Sequence, residues 1–200
     1  MTLHVVLSTN NKDKAVEITA ILSTRGEVEL LERPADVAEV EETGETLEEN
    51  ARLKARALTE ATGRPAIADD TGLEVEALDG APGVYSARYA GESASYGDNV
   101  DKLLREMAGK PDRAARFSTV AYASFPDGTE VSAAGEVAGT IATEPRGTNG
   151  FGYDPLFVPD EGDGRTFAEM TPAEKHEISH RGRAFLALAD RLAELGLLDG

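Results

Sequence analysis

Residues 3–22 read LHVVLSTNNKDKAVEITAIL, and this stretch sets the kind of fold the chain adopts. Leu3 to Leu7 is a short apolar run of buried-strand character that stops at polar turn residues. From Lys14 on, Ala15, Ile18, Ile21 and Leu22 recur at helical spacing, so the segment reads strand, polar loop, helix. Downstream, Thr46-Leu47-Glu48-Glu49 has the form of a capping box and predicts a helix from Leu47 to about Thr62, closed by Gly63. Leu47, Ala51, Lys54, Ala55 and Leu58 fall on or near one face of it. Pro65 to Ala68 predicts a short strand, and Leu73 to Leu78 a second extended piece ending at the turn Asp79-Gly80. A helix over Gly97–Ala108 follows, with Val100, Leu103, Leu104 and Met107 inward. Arg116–Phe125 and Glu130–Ile141 flank Pro126-Asp127-Gly128-Thr129 and read as a β-hairpin. A strand at Pro155–Val158 and a capping box with Pro at N1, Thr171-Pro172-Ala173-Glu174, lead to a closing helix. That helix places Phe185, Leu188, Leu192 and Leu195 on its buried side. Helices and strands are mixed and one hairpin is antiparallel, so the class is α/β or α+β around a mixed sheet.

The chain has 200 residues, 40% of them apolar, enough for a real core in one domain, with room for two lobes and a cleft between them. Twenty Lys and Arg against 37 Asp and Glu leave a net charge of −17, which argues against long nucleic acids as partners. A small phosphorylated ligand remains compatible, because a few local cations and a metal ion suffice for it. With no cysteine there is neither a disulfide framework nor thiolate chemistry. The apolar run at the N-terminus is too short for a signal sequence and nothing approaches a membrane span, so the cytoplasm is the expected location.

Four segments carry polar residues that a simple fold does not require. Ser8-Thr9-Asn10-Asn11-Lys12-Asp13-Lys14 joins a strand to a helix, where backbone N–H groups and lysines suit a phosphate. It lacks the glycine spacing of a Walker A loop, and a capped helix with solvated lysines explains it equally simply. Asp69-Asp70-Thr71-Gly72 follows a buried strand; adjacent carboxylates repel unless a cation sits nearby, and Mg²⁺ favours one or two carboxylates with phosphate oxygens. An Asp-rich turn capped by Gly72 is the plainer alternative. In Gly147-Thr148-Asn149-Gly150-Phe151-Gly152-Tyr153-Asp154-Pro155 the glycines can present Phe151 to a flat partner such as a purine, with Asp154 accepting from ring N–H groups. Phe151 and Tyr153 as core residues of a glycine turn are the alternative. In Lys175-His176-Glu177-Ile178-Ser179-His180-Arg181-Gly182, Ser179 can cap the last helix, which puts His180 and Arg181 where the helix dipole disfavours cations. Something other than helix stability then holds them there, with a plain surface Arg as the simpler alternative for any one of them.

Taken together, these blocks resemble the inosine triphosphate pyrophosphatase family, the dITP/XTP pyrophosphatases. The resemblance also rests on Glu41-Glu42-Thr43-Gly44, on Glu49-Asn50-Ala51-Arg52-Leu53-Lys54-Ala55, and on Gly80-Ala81-Pro82-Gly83-Val84-Tyr85-Ser86-Ala87-Arg88-Tyr89. The blocks run in the family's order from residue 7 to residue 184. The resemblance implies an elongated mixed α/β fold with a central cleft, a homodimer, and Mg²⁺-dependent hydrolysis of ITP, dITP and XTP to the monophosphate and pyrophosphate. Two positions depart from the pattern: Thr71 stands where many members have Ser, and Asn149 where the residue is often small.

The resemblance and the residue chemistry together assign roles. Ser8, Thr9, Asn10, Asn11, Lys12, Asp13 and Lys14 form the triphosphate loop, with Thr9, Asn11 and Lys14 as its main contacts and Lys54 as a second cation. Glu42 and Asp70 ligate Mg²⁺, Asp69 is a nearby further carboxylate, and Asp70 is also the proton acceptor. Thr71 contacts substrate beside the metal. Phe151, within Phe151-Gly152-Tyr153-Asp154, stacks on the base, while Asp154, Lys175, His180 and Arg181 read its edges. Two rival readings are a pyrophosphatase for modified pyrimidine nucleotides and a purine triphosphate-binding module without turnover.

Overall fold

The computed structural model describes residues 2–9, 11–38 and 40–198. Strands β1 (Leu3–Leu7), β2 (Val28–Leu31), β3 (Ala66–Val75), β4 (Pro82–Gly83), β5 (Ala114–Ser124), β6 (Glu130–Ile141) and β7 (Phe157–Pro159) form one mixed sheet. Its order is β2-β1-β3-β5-β6-β7, with β4 against β3. β1 runs parallel to β2 and β3, whereas β3–β4 and β6–β7 are antiparallel. The helices are α1 (Lys12–Leu22), α2 (Leu47–Thr62), α3 (Tyr96–Glu106), α4 (Pro172–Ile178) and α5 (His180–Glu194). The expected α/β architecture around a mixed sheet is thus the observed one. No helix among the described residues is long and apolar enough to cross a membrane.

The chain divides into two compact units. One comprises Met1–Asp70, Thr119–Gly135 and Arg181–Gly200; the other comprises Thr71–Ser118 and Glu136–His180. Each has its own core. In the first, Val5, Leu7, Ile18, Ile67, Phe185 and Leu188 pack together. In the second, Leu73, Leu103, Phe117, Phe157 and Phe167 do.

The capping chemistry behaves as the sequence indicates. Thr46 and Glu49 form a reciprocal capping box on α2, and Gly63 ends it in the left-handed region at φ 64°. Thr171 and Glu174 do the same for α4, with Pro172 in its first turn. Asn11 caps α1, its side chain accepting from the Asp13 and Lys14 N–H groups.

Three local readings need correction. Asp69-Asp70-Thr71-Gly72 is not a turn: β3 runs unbroken through it, because burial on both sides of the strand outweighs the turn preference of Asp and Gly. Glu76–Leu78 is a 3-10 turn rather than strand, closed by Asp79 at φ 52°. Leu195 lies beyond the end of α5 and is 59% exposed, so the buried stripe stops at Leu192.

Candidate active site

In the first unit, the end of β1 and the cap of α1 build the loop from residue 8 onward. Asn11 N–H donates to Thr9 Oγ1 at 3.1 Å, and Asn11 Oδ1 accepts from Asp13 and Lys14. Ser8 N–H bonds Ile67 O at 2.8 Å, which ties the loop to β3. Lys12 and Asp13 are exposed, Lys14 is half-buried, and Asn10 lies outside the described residues. A cavity of 360 Å³ opens here, lined among others by Thr9, Asn11, Lys12 and Arg33. It sits at the carboxyl ends of the parallel strands, where α/β sheets usually bind ligands. Larger cavities of 540, 540 and 430 Å³ lie elsewhere and contain none of these residues.

Consecutive residues of β3 meet opposite surroundings. Asp69 is buried and bonded by Lys14 Nζ at 3.3 Å and by Arg181 at 3.4 Å. Burial pushes its carboxyl up, but Lys14, Arg181 and Lys54 prevail and hold it well below the usual carboxylate range. Arg181 also donates to Glu17 Oε2 at 2.7 Å. Asp70 instead shares the Lys54 ammonium with Glu42, at 3.0 Å and 2.7 Å, and accepts from Asn50 Nδ2 at 3.3 Å. Burial raises its pKa; Lys54 only partly offsets this, and Glu42 adds to it. Lys54 is held above the usual lysine range: burial opposes its charge, but Asp70, Asp69 and Glu42 outweigh that.

No group of three or more metal-ligating side chains is assembled among the described residues. The donors that do converge, Glu42 and Asp70, are hard oxygens bridged by a cation. Such a pair suits Mg²⁺, which takes one or two carboxylates and completes its shell with substrate phosphates and water. The side chains therefore fit an ion that arrives with its nucleotide.

In the second unit, Lys175 and Asp154 form an ion pair at 2.7 Å with both side chains 4% exposed. The same Asp154 oxygen accepts the Phe151 N–H at 2.8 Å, and the Lys175 ammonium lies over the Phe151 ring at 5.1 Å. Gly150 makes this possible: at φ 70°, an added Cβ would fall 2.1 Å from Asp154 Oδ2. Asn149 N–H and Nδ2 bond Ala168 O and Met170 O, which fixes the loop shape at that departure from the pattern. Phe151 is half-buried beside Tyr96, with ring centroids 5.8 Å apart, and Gly152 beside it is half-buried too. Tyr153 is a core residue whose hydroxyl donates to Ser86 O. Thr71 is half-buried on β3.

His180 and Arg181 open α5 against the helix dipole, and their contacts account for it. His180 stacks on Phe117 at 4.4 Å and 15°, and Arg181 is gripped by two carboxylates. Asp154, Lys175, His180 and Arg181, expected to read the base, thus have partners within the protein. Glu17, Asn50, Phe117 and Tyr96 had no role in the reading of the sequence. A carboxylate beside Ile18 and Ile21 on the apolar stripe of α1, and an amide next to Ala51 on that of α2, are the available signals.

Residues 5–191 match the Ham1 family. A protein of Streptomyces coelicolor named dITP/XTP pyrophosphatase is 47% identical over 197 residues, covering 96% of this chain and 98% of its own. One of the same name from Deinococcus deserti is 50% identical over 185 residues, covering 92% and 87%. The solved structure of a HAM1 protein from Coxiella burnetii superposes with a TM-score of 0.86 at 41% identity, covering 96% of this chain and all of that one. Matched by the family over residues 5–191 and by near full-length relatives at 41–50% identity, this chain belongs to the Ham1 family.

Proposed function

We propose that this protein hydrolyses non-standard purine nucleoside triphosphates, ITP, dITP and XTP, to the monophosphate and pyrophosphate with the help of Mg²⁺. The observation that carries the reading is Asp70, a buried carboxylate whose partner cation is shared with Glu42 and does not fully offset its burial. Near full-length similarity to proteins named dITP/XTP pyrophosphatase supports the substrate class.

Thr9, Asn11 and Lys14, with Lys12 beside them at the positive end of α1, bind the triphosphate. Glu42 and Asp70 hold the divalent ion, which when bound neutralises phosphate charge and orients the reacting group. Asp70 accepts the proton of the water that attacks the α-phosphorus. The P–O bond to pyrophosphate breaks, with Lys54 balancing charge. Phe151 supplies a face for the base, held in place through Asp154 and Lys175. Donors at the base edge favour the C6 oxygen of hypoxanthine and xanthine over the adenine amino group. Facing that amino group would leave them unpaired, which can cost ~10⁴-fold in kcat/KM. The homodimer and the cytoplasmic location belong to the same proposal.

Pyrophosphate release from ITP, dTTP and ATP, each with and without Mg²⁺, tests it. Mg²⁺-dependent preference for ITP is expected. Preference for dTTP indicates a pyrimidine enzyme, and binding without release a sensor.

A further inference from the structure

We infer that Asn50 is the positioning residue that holds Glu42 and Asp70 in register for the divalent ion; the inference rests on the metal reading above. Asn50 is fully buried on α2, and its amide spans two functional segments. On one side Oδ1 accepts the Gly44 N–H at 2.8 Å; on the other Nδ2 donates to Asp70 Oδ2 at 3.3 Å. The amide can point only one way. A backbone N–H needs an acceptor and an ionised carboxylate needs a donor, so flipping the amide would spoil both contacts. Of the common side chains of this size, only a neutral amide satisfies the two partners together. Asp has no donor for Asp70, and Leu leaves both groups unpaired in a buried place.

The loop bearing Glu42 is fastened to α2 through consecutive residues. Gly44 N–H is held by Asn50, while Glu45 N–H and Thr46 N–H are held by Glu49 Oε2 at 2.7 and 3.2 Å. Gly44 has to be glycine for this approach, since an added Cβ would lie 2.7 Å from both Asn50 Oδ1 and Glu49 Cβ. The result is a short mechanical path, Glu42–Gly44–Asn50–Asp70, in which one side chain sets the spacing of two carboxylates from different parts of the chain. Hydrogen-bond partners behind metal ligands typically change metal affinity or activity ~10–100-fold when removed.

The test measures Mn²⁺ binding to protein saturated with a non-hydrolysable ITP analogue, with the analogue alone as blank, by loss of the free-ion EPR signal, together with the Mg²⁺ concentration for half-maximal ITP turnover. Wild type, Asn50→Ala and Gly44→Ala are compared, with thermal melts as a control on folding. Asn50→Ala is expected to weaken Mn²⁺ binding ~10–100-fold and to raise the Mg²⁺ requirement in step, while KM for ITP at saturating Mg²⁺ moves far less. Mn²⁺ affinity within twofold of wild type overturns the inference, whatever the melting temperature. Should Asn50→Ala fail to fold, Gly44→Ala decides: it leaves the amide in place but pushes the loop off it, and must weaken the metal at least tenfold. Unchanged binding there is equally fatal. Wild-type protein that, with the analogue bound, takes up no more Mn²⁺ than the analogue alone would overturn the metal reading itself and this inference with it, an outcome visible before any variant is made.

Discussion

Each unit contains a lysine paired with an aspartate, and the two pairs are built to opposite ends. Lys175 and Asp154 are both 4% exposed, and a single Asp154 oxygen also holds the Phe151 N–H, so the pair is closed and serves to fix a loop and its aromatic ring. Lys54 is instead divided between Asp70 and Glu42 and does not fully offset the burial of Asp70, which keeps an appetite for more positive charge. A completed pair shapes a surface, while an undercompensated one can take a ligand. The same distinction separates Asp69, held well below the usual range by its cations, from its neighbour Asp70.

The largest effect belongs to Asp70→Asn, which is expected to cut ITP turnover by ~10²–10⁴-fold or more while the melting temperature holds or rises. Near wild-type kcat would take Asp70 out of the chemistry. Arg181→Ala strands Glu17 and Asp69 without their shared guanidinium. Chemical denaturation should show a loss of ~3–5 kcal/mol, typical of breaking a buried pair from one side. A loss confined to substrate preference would instead give Arg181 a purely recognitional role.

Gly150→Ala tests the closed pair. The new methyl displaces Asp154 from Phe151 and forces a left-handed backbone on alanine, so a destabilisation of ~1–3 kcal/mol and a raised KM for ITP are expected. Unchanged KM would dissociate the Phe151 loop from substrate binding.

The smallest effect is in pH dependence. Because the folded-state pKa of Asp69 is depressed, its contribution is present above the unfolded value of about 4 and lost as pH falls below that. Asp70 has a raised folded pKa, so its contribution is full below about 4 and lost as pH rises through the folded value. In metal-free buffer, Asp69→Asn should therefore flatten the acid limb of the stability profile, whereas Asp70→Asn should stabilise the neutral side. Identical profiles for the two variants would erase the contrast between them.

Much of the fold could be read from local chemistry. The capping boxes at Thr46 and Thr171, the end at Gly63 and the hairpin around Pro126–Thr129 are written in short-range patterns. What escaped depends on contacts distant in sequence. The passage of β3 through Asp69 and Asp70 is decided by burial inside the sheet, where β3 lies between β1 and β5, and β2 is a four-residue strand whose only strong argument is its parallel register with β1. For the candidate site, residue types were readable but pairings were not. Nothing in the sequence around Asp154 indicates that Lys175 occupies it, or that Arg181 reaches back to Glu17 across 164 positions. The misplaced cations at the start of α5 were a sound clue that partners existed, though not which ones.

The central claim is that the divided pair, and not the closed one, takes a divalent ion. Isothermal titration of Mg²⁺ into chelator-stripped protein holding a non-hydrolysable ITP analogue tests it most directly, with wild type, Glu42→Gln and Lys175→Met side by side. Heat of binding in wild type and Lys175→Met but not in Glu42→Gln is the predicted result. Equal binding by Glu42→Gln and wild type would contradict it.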